Sequence, residues 1–206
     1  FIPDLQKIRS AGKHLLSLIN DILDLSKVEA GKMITEMQPC SVISVVADVA
    51  SMMRVRAEQC NTSLEVHHTN QMPETILSDA ARLRQAMVNI LGNAIKFTEK
   101  GQVGINISLL ASTEKQLTLA FSIRDTGIGM TSHDIDVALK PFGQVDGQHL
   151  NKRYEGTGLG LPLAEQLMEM YDGKLVIHST PGEGTAVTLL FPPERTVGLK
   201  QKRKKS

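Results

Sequence analysis

Three groups of residues have the types and spacing to do chemistry together. Asn89 and Asn93 are four apart, and Lys96 follows three later. On a helix that turns about 100° per residue the three fall within an arc of about 60°. Two amides and an ammonium then project from one stripe. Amide oxygens are hard ligands suited to Mg²⁺, which keeps several waters and also binds substrate phosphates. A lysine beside them neutralises phosphate charge. Standing alone, such a triplet more often marks a solvated helix face. The second group is Asp125-Thr126-Gly127-Ile128-Gly129-Met130, directly after a strand-like run. Gly127 and Gly129 let the backbone pass close to a flat ligand, and the Asp125 carboxylate can accept a hydrogen bond from an exocyclic amine such as that of adenine. The bland alternative is a tight turn. The third is Gly156-Thr157-Gly158-Leu159-Gly160-Leu161 at the start of a helix. Free N–H groups and the helix dipole favour a phosphate there; a flexible hinge is the alternative. The spacing matches neither the dinucleotide fingerprint nor a P-loop. Lys152 and Arg153 precede it and weigh evenly between a terminal phosphate contact and plain solvated charge.

Other candidates fall away on spacing. His67 and His68 share a strand without metal-ligand separation, and Asp134 and Asp136 lack the later ligands and glycine of a calcium loop. No serine elbow or zinc helix motif occurs.

These groups need elements to hold them. Residues 79–98 read as a helix with Ser78 or Asp79 as N-cap. Its apolar face is Leu83, Met87, Ile90, Leu91 and Ala94, separate from the amide stripe. Residues 103–110 and 117–124 read as a strand hairpin that delivers Asp125. Residues 159–171 read as the helix behind the glycines, followed by strands at 174–178 and 185–191 around the turn at 181–184. Ahead of these come a helix at 42–60 and a short strand at 63–68. The expected fold is α+β: a two-layer α/β sandwich with a mixed sheet and its helices on one face. A long helix at 5–32, stopped at Gly31, precedes a connector at 33–39. Its stripe of Leu5, Ile8, Leu15, Leu16, Ile19, Ile22 and Leu23 must be buried against other helices. The expected division is residues 1–32 as an incomplete helical hairpin, 33–40 as linker, 41–195 as the ligand-binding domain and 196–206 as a basic tail.

The composition excludes several classes. Of 206 residues 41% are hydrophobic and 22% charged, an ordinary globular balance. The net charge of +1 gives no bias towards nucleic acid or anionic membrane, and 3% aromatics provide little for base stacking. Cys40 and Cys60 lie too far apart for a metal pair or a disulfide framework. No apolar run approaches the roughly 20 residues of a membrane span. The expected location is cytoplasmic, with any membrane tether in segments outside the chain.

Taken in order, the motifs resemble the histidine kinase branch of the GHKL ATP-binding family. Residues 89–98 (NILGNAIKFT) are similar to its N box, and DTGIGM at Asp125 to its first glycine box. Lys140-Pro141-Phe142 resembles the F box, residues 153–161 the lid end and second glycine box, and Gly182-Glu183-Gly184-Thr185 the last glycine turn. Residues 22–32 resemble the second helix of the dimerisation and phosphotransfer hairpin. The resemblance implies ATP and Mg²⁺ as cofactors. It implies that Asp125 binds the adenine amine, with Gly127 and Gly129 beside it. Asn93 coordinates Mg²⁺, and Asn89 and Lys96 lie near the phosphates. Arg153 and Tyr154 belong to a mobile lid. Gly156, Thr157, Gly158, Leu159 and Gly160 run along the phosphates, Phe142 packs where lid and domain meet, and Thr185 lies at the nucleotide. The implied partners are a second copy paired through the hairpin and a response-regulator receiver domain, with no nucleic acid.

One departure bears on the reaction. The family's acceptor histidine lies in the first hairpin helix, inside an H box, and this chain has none. His14 has neither the acidic neighbour nor the Arg-Thr-Pro sequence of that box, and reads as a bundle-surface residue. No catalytic acceptor is therefore assigned within the chain. Glu155 and Pro162 replace the usual glycine and alanine; proline is tolerated in a first helical turn. GHKL ATPases carry a water-activating glutamate where this chain has Asn89, which is no base at neutral pH. That favours phosphoryl transfer over hydrolysis. A non-catalytic nucleotide-binding scaffold is the remaining alternative.

Overall fold

A computed structural model of the chain describes residues 2–69, 72–113, 116–144 and 156–197. The element order is α1 (Ile2–Glu29), β1 (Gln38–Ser41), α2 (Val42–Gln59), β2 (Ser63–His68), β3 (Thr75–Ser78), α3 (Ala80–Lys96), β4 (Gln102–Thr113) and β5 (Gln116–Asp125). Then follow α4 (Ser132–Ala138), α5 (Gly160–Met170), β6 (Lys174–Thr180), β7 (Gly184–Phe191) and β8 (Thr196–Val197).

Five strands form one mixed sheet in the order β2-β4-β5-β7-β6. Only β2 and β4 run parallel; the other neighbours are antiparallel. A parallel pair needs a crossover rather than a tight turn, and here the crossover carries α3. Side chains alternate across the strands. Val103, Ile105 and Ile107 on β4, Leu119, Phe121 and Ile123 on β5, and Val187, Leu189 and Phe191 on β7 are buried. Between them stand polar residues such as Asn106, Ser122 and Thr188, and Thr188 Oγ1 donates to Ser122 Oγ at 3.1 Å. One face therefore takes the helices, and the other mixes these polar residues with Ala120, Val176 and Leu190.

The helical layer is α2, α3 and α5. Leu83, Met87, Ile90, Leu91 and Ala94 are all buried on α3, as the periodicity requires. Val42, Val45, Val46, Val49 and Met53 of α2 and Leu163, Ala164 and Leu167 of α5 complete the layer. Phe191 bridges layers: it meets Phe121 edge-on at 5.7 Å and stacks on Tyr171 at 5.9 Å.

The caps explain where the helices begin. Of the two N-cap candidates Asp79 acts, its Oδ1 accepting from Ala81 N at 3.0 Å and Arg82 N at 3.2 Å. Ser41 caps α2 by accepting from Ser44 N. Asp134 closes a reciprocal capping box with Thr131, and the Thr131 hydroxyl, then its N–H, hold the Asp134 carboxyl below its usual range.

Three features depart from the sequence expectation. The connector ends as a strand, because β1 pairs antiparallel with β3 and β3 with β8 in a separate three-stranded sheet. Residues 196–197 thus belong to a strand, not only to a tail. The helix α4 follows the first glycine turn, where no periodic apolar pattern announced it. The long helix ends near Gly31, whose φ is 64°, and the stripe expected to be buried against other helices, Leu5, Ile8, Leu15, Leu16, Ile19, Ile22 and Leu23, stands exposed on this single chain. Among its described residues the last turns enter the folded layer, through Leu25 and Val28, and Met33 of the connector follows them.

Leu91 is fully buried at the centre of α3. Replacing it with alanine leaves a cavity in the core, so Leu91→Ala should lower unfolding free energy by about 2–5 kcal/mol, read from urea denaturation curves.

Candidate active site

The site is assembled where the ends of β5, α3 and β7 meet the start of α5. Asp125 closes β5, the middle strand of the sheet. Its carboxylate is only 7% exposed. Two main-chain N–H groups donate to its Oδ1, Gly127 at 2.8 Å and Thr185 at 3.2 Å. The second donor follows from strand register: Arg124 pairs with Ala186, so Thr185 comes level with Asp125. Where the ladder ends, the β7 amide turns to the side chain instead of the backbone. Burial pushes the Asp125 carboxyl above the usual carboxylate range, opposed by these two bonds. Both fall on Oδ1, which directs Oδ2 to another donor.

The glycines around this carboxylate answer to close approaches. A methyl group on Gly127 would strike the Phe97 carbonyl and stand 2.9 Å from Asp125 Oδ1. Gly184 has a φ of 105° and passes directly against the Asp125 carbonyl. Gly129, at φ 67°, presses on the Thr180 carbonyl, and Gly182 N donates to Ile128 O at 2.7 Å. The two glycine turns therefore lock together beside Asp125. Ser179 serves as the pin: its Oγ accepts from Met130 N at 2.7 Å, donates to Gly184 O at 3.0 Å and lies 2.8 Å from Thr185 Oγ1. No spacing rule singled out Ser179. Its partners are brought in by the β6–β7 turn, which sequence reading placed but did not connect to Asp125.

The amide stripe of α3 faces the glycine segment at the start of α5. A methyl on Gly160 would lie 3.4 Å from Asn89 Cβ, and one on Gly156 would lie 2.8 Å from Lys96 Nζ. Asn89 Nδ2 is buried without a hydrogen-bond partner. A buried amide N–H₂ left unbonded is costly, so this donor is suited to an acceptor arriving with a ligand. Asn93 is half-buried between Asn89 and Lys96. Lys96 Nζ sits 4.7 Å above the Phe97 ring. Burial, then the charge of Arg56, pulls the Lys96 ammonium below its usual value. Arg56, on α2, was not anticipated, because nothing in the sequence brings α2 to this end of α3. Two cations near one another are relieved by an anion between them.

Helix α5 starts without a side-chain cap. Thr157 Oγ1 accepts from Leu159 N at 3.1 Å, Pro162 has no N–H to give, and the first-turn N–H groups of Gly160 and Leu161 are suited to an incoming acceptor. Gly158 adopts φ 69° and passes against the Phe142 backbone, whose N–H donates to Gly158 O at 3.1 Å. Gln144 Nε2 donates to Gly156 O at 2.8 Å. Phe142 itself has φ 61° and is 60% exposed. Its backbone, rather than a buried ring, fastens the α4 side to the glycine segment. Pro162 is accommodated in the first turn of α5. Lys152, Arg153 and Tyr154 lie outside the described residues, as does the rest of the expected lid before Gly156.

The structure thus unites Asn89, Asn93, Lys96, Asp125, Gly127, Gly129, Gly156, Thr157, Gly158, Leu159, Gly160 and Thr185 around one end of the sheet. Among the described residues no group of three or more His, Cys, Asp or Glu is arranged to hold a metal, and no helix is long and apolar enough to cross a membrane.

Comparison with known proteins follows the same geometry. The family described as "Histidine kinase-, DNA gyrase B-, and HSP90-like ATPase" matches residues 78–195. The chain is 43% identical over 188 residues to the Non-motile and phage-resistance protein of Caulobacter vibrioides, covering 91% of this chain and 22% of that protein. It is 36% identical over 200 residues to the Cell-division control histidine kinase PdhS of Brucella anthropi, covering 94% and 19% respectively. The chain thus spans about a fifth of the length of these curated relatives. Among solved structures it resembles full-length ShkA in complex with AMPPNP, with a TM-score of 0.77 and 28% identity over 92% of this chain and 38% of that one. The Acinetobacter baumannii histidine kinase AdeS shares the fold with a TM-score of 0.73 and 20% identity, covering 92% of this chain and 83% of that one.

The raised Asp125 carboxyl has a consequence for stability. A folded-state value above the unfolded one means the native protein holds the proton more tightly. That contribution is present below the ordinary carboxylate range and is lost as pH climbs through the raised value. Wild type should therefore lose stability relative to Asp125→Asn as pH rises from about 4, the ordinary carboxylate value, through the raised one. Paired urea melts across that range check the sign.

Proposed function

The chain belongs to the histidine kinase-, DNA gyrase B- and HSP90-like ATPase family, and from that premise we propose that it is the ATP-binding catalytic region of a two-component sensor histidine kinase. The observation that carries the ligand assignment is the Asp125 carboxylate. It is buried, held on Oδ1 by two N–H groups, and available on Oδ2. Adenine offers an exocyclic amine to that oxygen; guanine offers a carbonyl at the corresponding position and is repelled. The phosphates then run along Gly156–Gly160 to the uncapped start of α5, with Lys96 and the dipole meeting their charge.

Asn93 is the protein ligand proposed for Mg²⁺. The amide pair on one stripe, with an unpartnered donor on Asn89, fits a hydrated metal carried by phosphates better than a cage of carboxylates. The bound metal would offset charge on the β and γ phosphates. The chain's residues hold the nucleotide, orient it and exclude water. Such positioning is the main catalytic resource of phosphoryl transfer. In the reaction a histidine imidazole nitrogen forms a bond to the γ-phosphorus as its bond to the bridging oxygen breaks, and ADP leaves. Asn89 supplies no base to activate water, which separates this reading from ATP hydrolysis. The acceptor is assigned to another helix of the hairpin, not to His14. The phosphoryl group passes on to the aspartate of a response-regulator receiver domain. The parent pairs with a second copy through the hairpin and works in the cytoplasm.

Two outcomes follow. Asp125→Asn keeps an acceptor for Gly127 and Thr185 but presents an N–H₂ to the adenine amine, so donor faces donor. The lost charge-assisted bond is worth about 1.5–3 kcal/mol. ATP affinity should drop by at least about ten-fold, and wild type should show no measurable GTP binding by calorimetry. Equal affinity for ATP and GTP would remove Asp125 from this role. Separately, Asn93→Ala should weaken Mg·ATP binding much more than binding of metal-free ATP. Equal losses in Mg²⁺ and in EDTA would make Asn93 structural.

A further inference from the structure

Helix α3 carries a second polar cluster, at its opposite end from the phosphate stripe. Arg82 Nη1 donates to Asp24 Oδ2 of α1 at 2.7 Å and to Gln85 Oε1 at 2.9 Å. Gln85 Nε2 donates to the same Asp24 Oδ2 at 3.2 Å. The three side chains close a triangle between two helices 58 residues apart in sequence. The ion pair is largely shielded, with side-chain exposures of 27% for Arg82 and 13% for Asp24. Around it the described apolar anchors are few: Leu25 and Val28 on α1, and Met33 in the connector just beyond it. Apolar contacts of that size hold two bodies together but leave their relative rotation loosely defined. A bonded triangle fixes it.

Arg82, Gln85, Asn89, Asn93 and Lys96 are spaced three, four, four and three apart, so they form one stripe along α3. The helix itself is therefore a rigid spacer between the α1 contact and the phosphate site. Arg82 and Asn93 are roughly 16 Å apart along its axis. A tilt of 10° at the clamp displaces the far end by about 3 Å, whereas a misplacement of about 1 Å can lower a transfer rate about a hundred-fold.

We propose that Asp24, Arg82 and Gln85 are positioning residues for phosphoryl transfer: they set the angle at which the nucleotide domain sits on α1, without touching the nucleotide. The inference rests on the kinase reading for its consequence, but not for the clamp itself.

The test uses Asp24→Asn, Arg82→Ala and the charge-exchanged pair Asp24→Arg with Arg82→Asp. In the whole protein that carries this segment with its acceptor helix, the single variants should bind ATP within two-fold of wild type. They should form phosphohistidine at least ten-fold more slowly, and the exchanged pair should recover to within about three-fold. In this chain, spin labels at the exposed Cys60 and at Asn20→Cys, with Cys40→Ser, should give a broader distance distribution in either single variant. A rate unchanged in Asp24→Asn overturns the proposal, as does an ATP affinity that falls in step with the rate. If wild type forms no phosphohistidine, the kinase reading fails instead; the spin-label distances then decide the clamp, and an unbroadened distribution overturns it.

Discussion

A carboxylate withdrawn from water needs donors to replace the water it loses. At Asp125 those donors come from two different strands' ends, Gly127 after β5 and Thr185 at the start of β7. The rest of the site is arranged around that requirement. To bring Thr185 level, β7 must lie beside β5 in its observed register. To let the backbones close in, positions 127 and 184 must lack side chains. To hold the β6–β7 turn there, Ser179 must tie Met130 to Gly184 and Thr185. The remaining oxygen is thereby presented from a rigid frame. Recognition of a base by one bond is specific only when the acceptor cannot move to suit another partner.

Helix α3 divides two duties around its circumference. Leu83, Met87, Ile90, Leu91 and Ala94 anchor it in the core, so its polar stripe is carried by a body that cannot roll. Asp79 pins its first turn, and the chain Thr98 Oγ1 to Ala94 O, then Thr62 Oγ1 to Thr98 O, secures its last. An exposed helix could present the same side chains but would not hold them still. Rigidity here is a result of the apolar pattern, and function occupies the face that pattern leaves over.

Much of this was legible in the residues. The 3.6-residue rhythm of α3 and the alternation of β4 and β5 are strong local signals. The three glycine-bearing motifs kept their order and resembled a known family. What stayed hidden depends on contacts far apart in the chain. The strands β1, β3 and β8 are short, and their partners are distant, so neither length nor periodicity revealed them. The clamp partners Asp24 and Arg82 look like surface charges on two amphipathic helices, which is where such residues ordinarily belong. Ser179 and Arg56 acquire roles only through tertiary neighbours. The helix α4 has a capping box but no buried residue, so it lacks the apolar stripe by which a helix is normally read.

The bond from Thr185 to Asp125 spans 60 positions, and this has a meaning for the order of events during translation. A chain emerging from the ribosome can close the β4–β5 hairpin as soon as both strands are out, because that pairing is local. The Asp125 carboxylate can then have its Gly127 donor but not its second one, and the glycines at 182 and 184 do not yet stand beside it. Domains generally fold as units as synthesis proceeds, and contacts of long sequence separation are slow to form. However much of the rest has formed by then, the site around Asp125 cannot be complete until β7 lies beside β5. Only the emergence of β7 completes it, so competence to bind nucleotide arrives abruptly, near the end of elongation through this region.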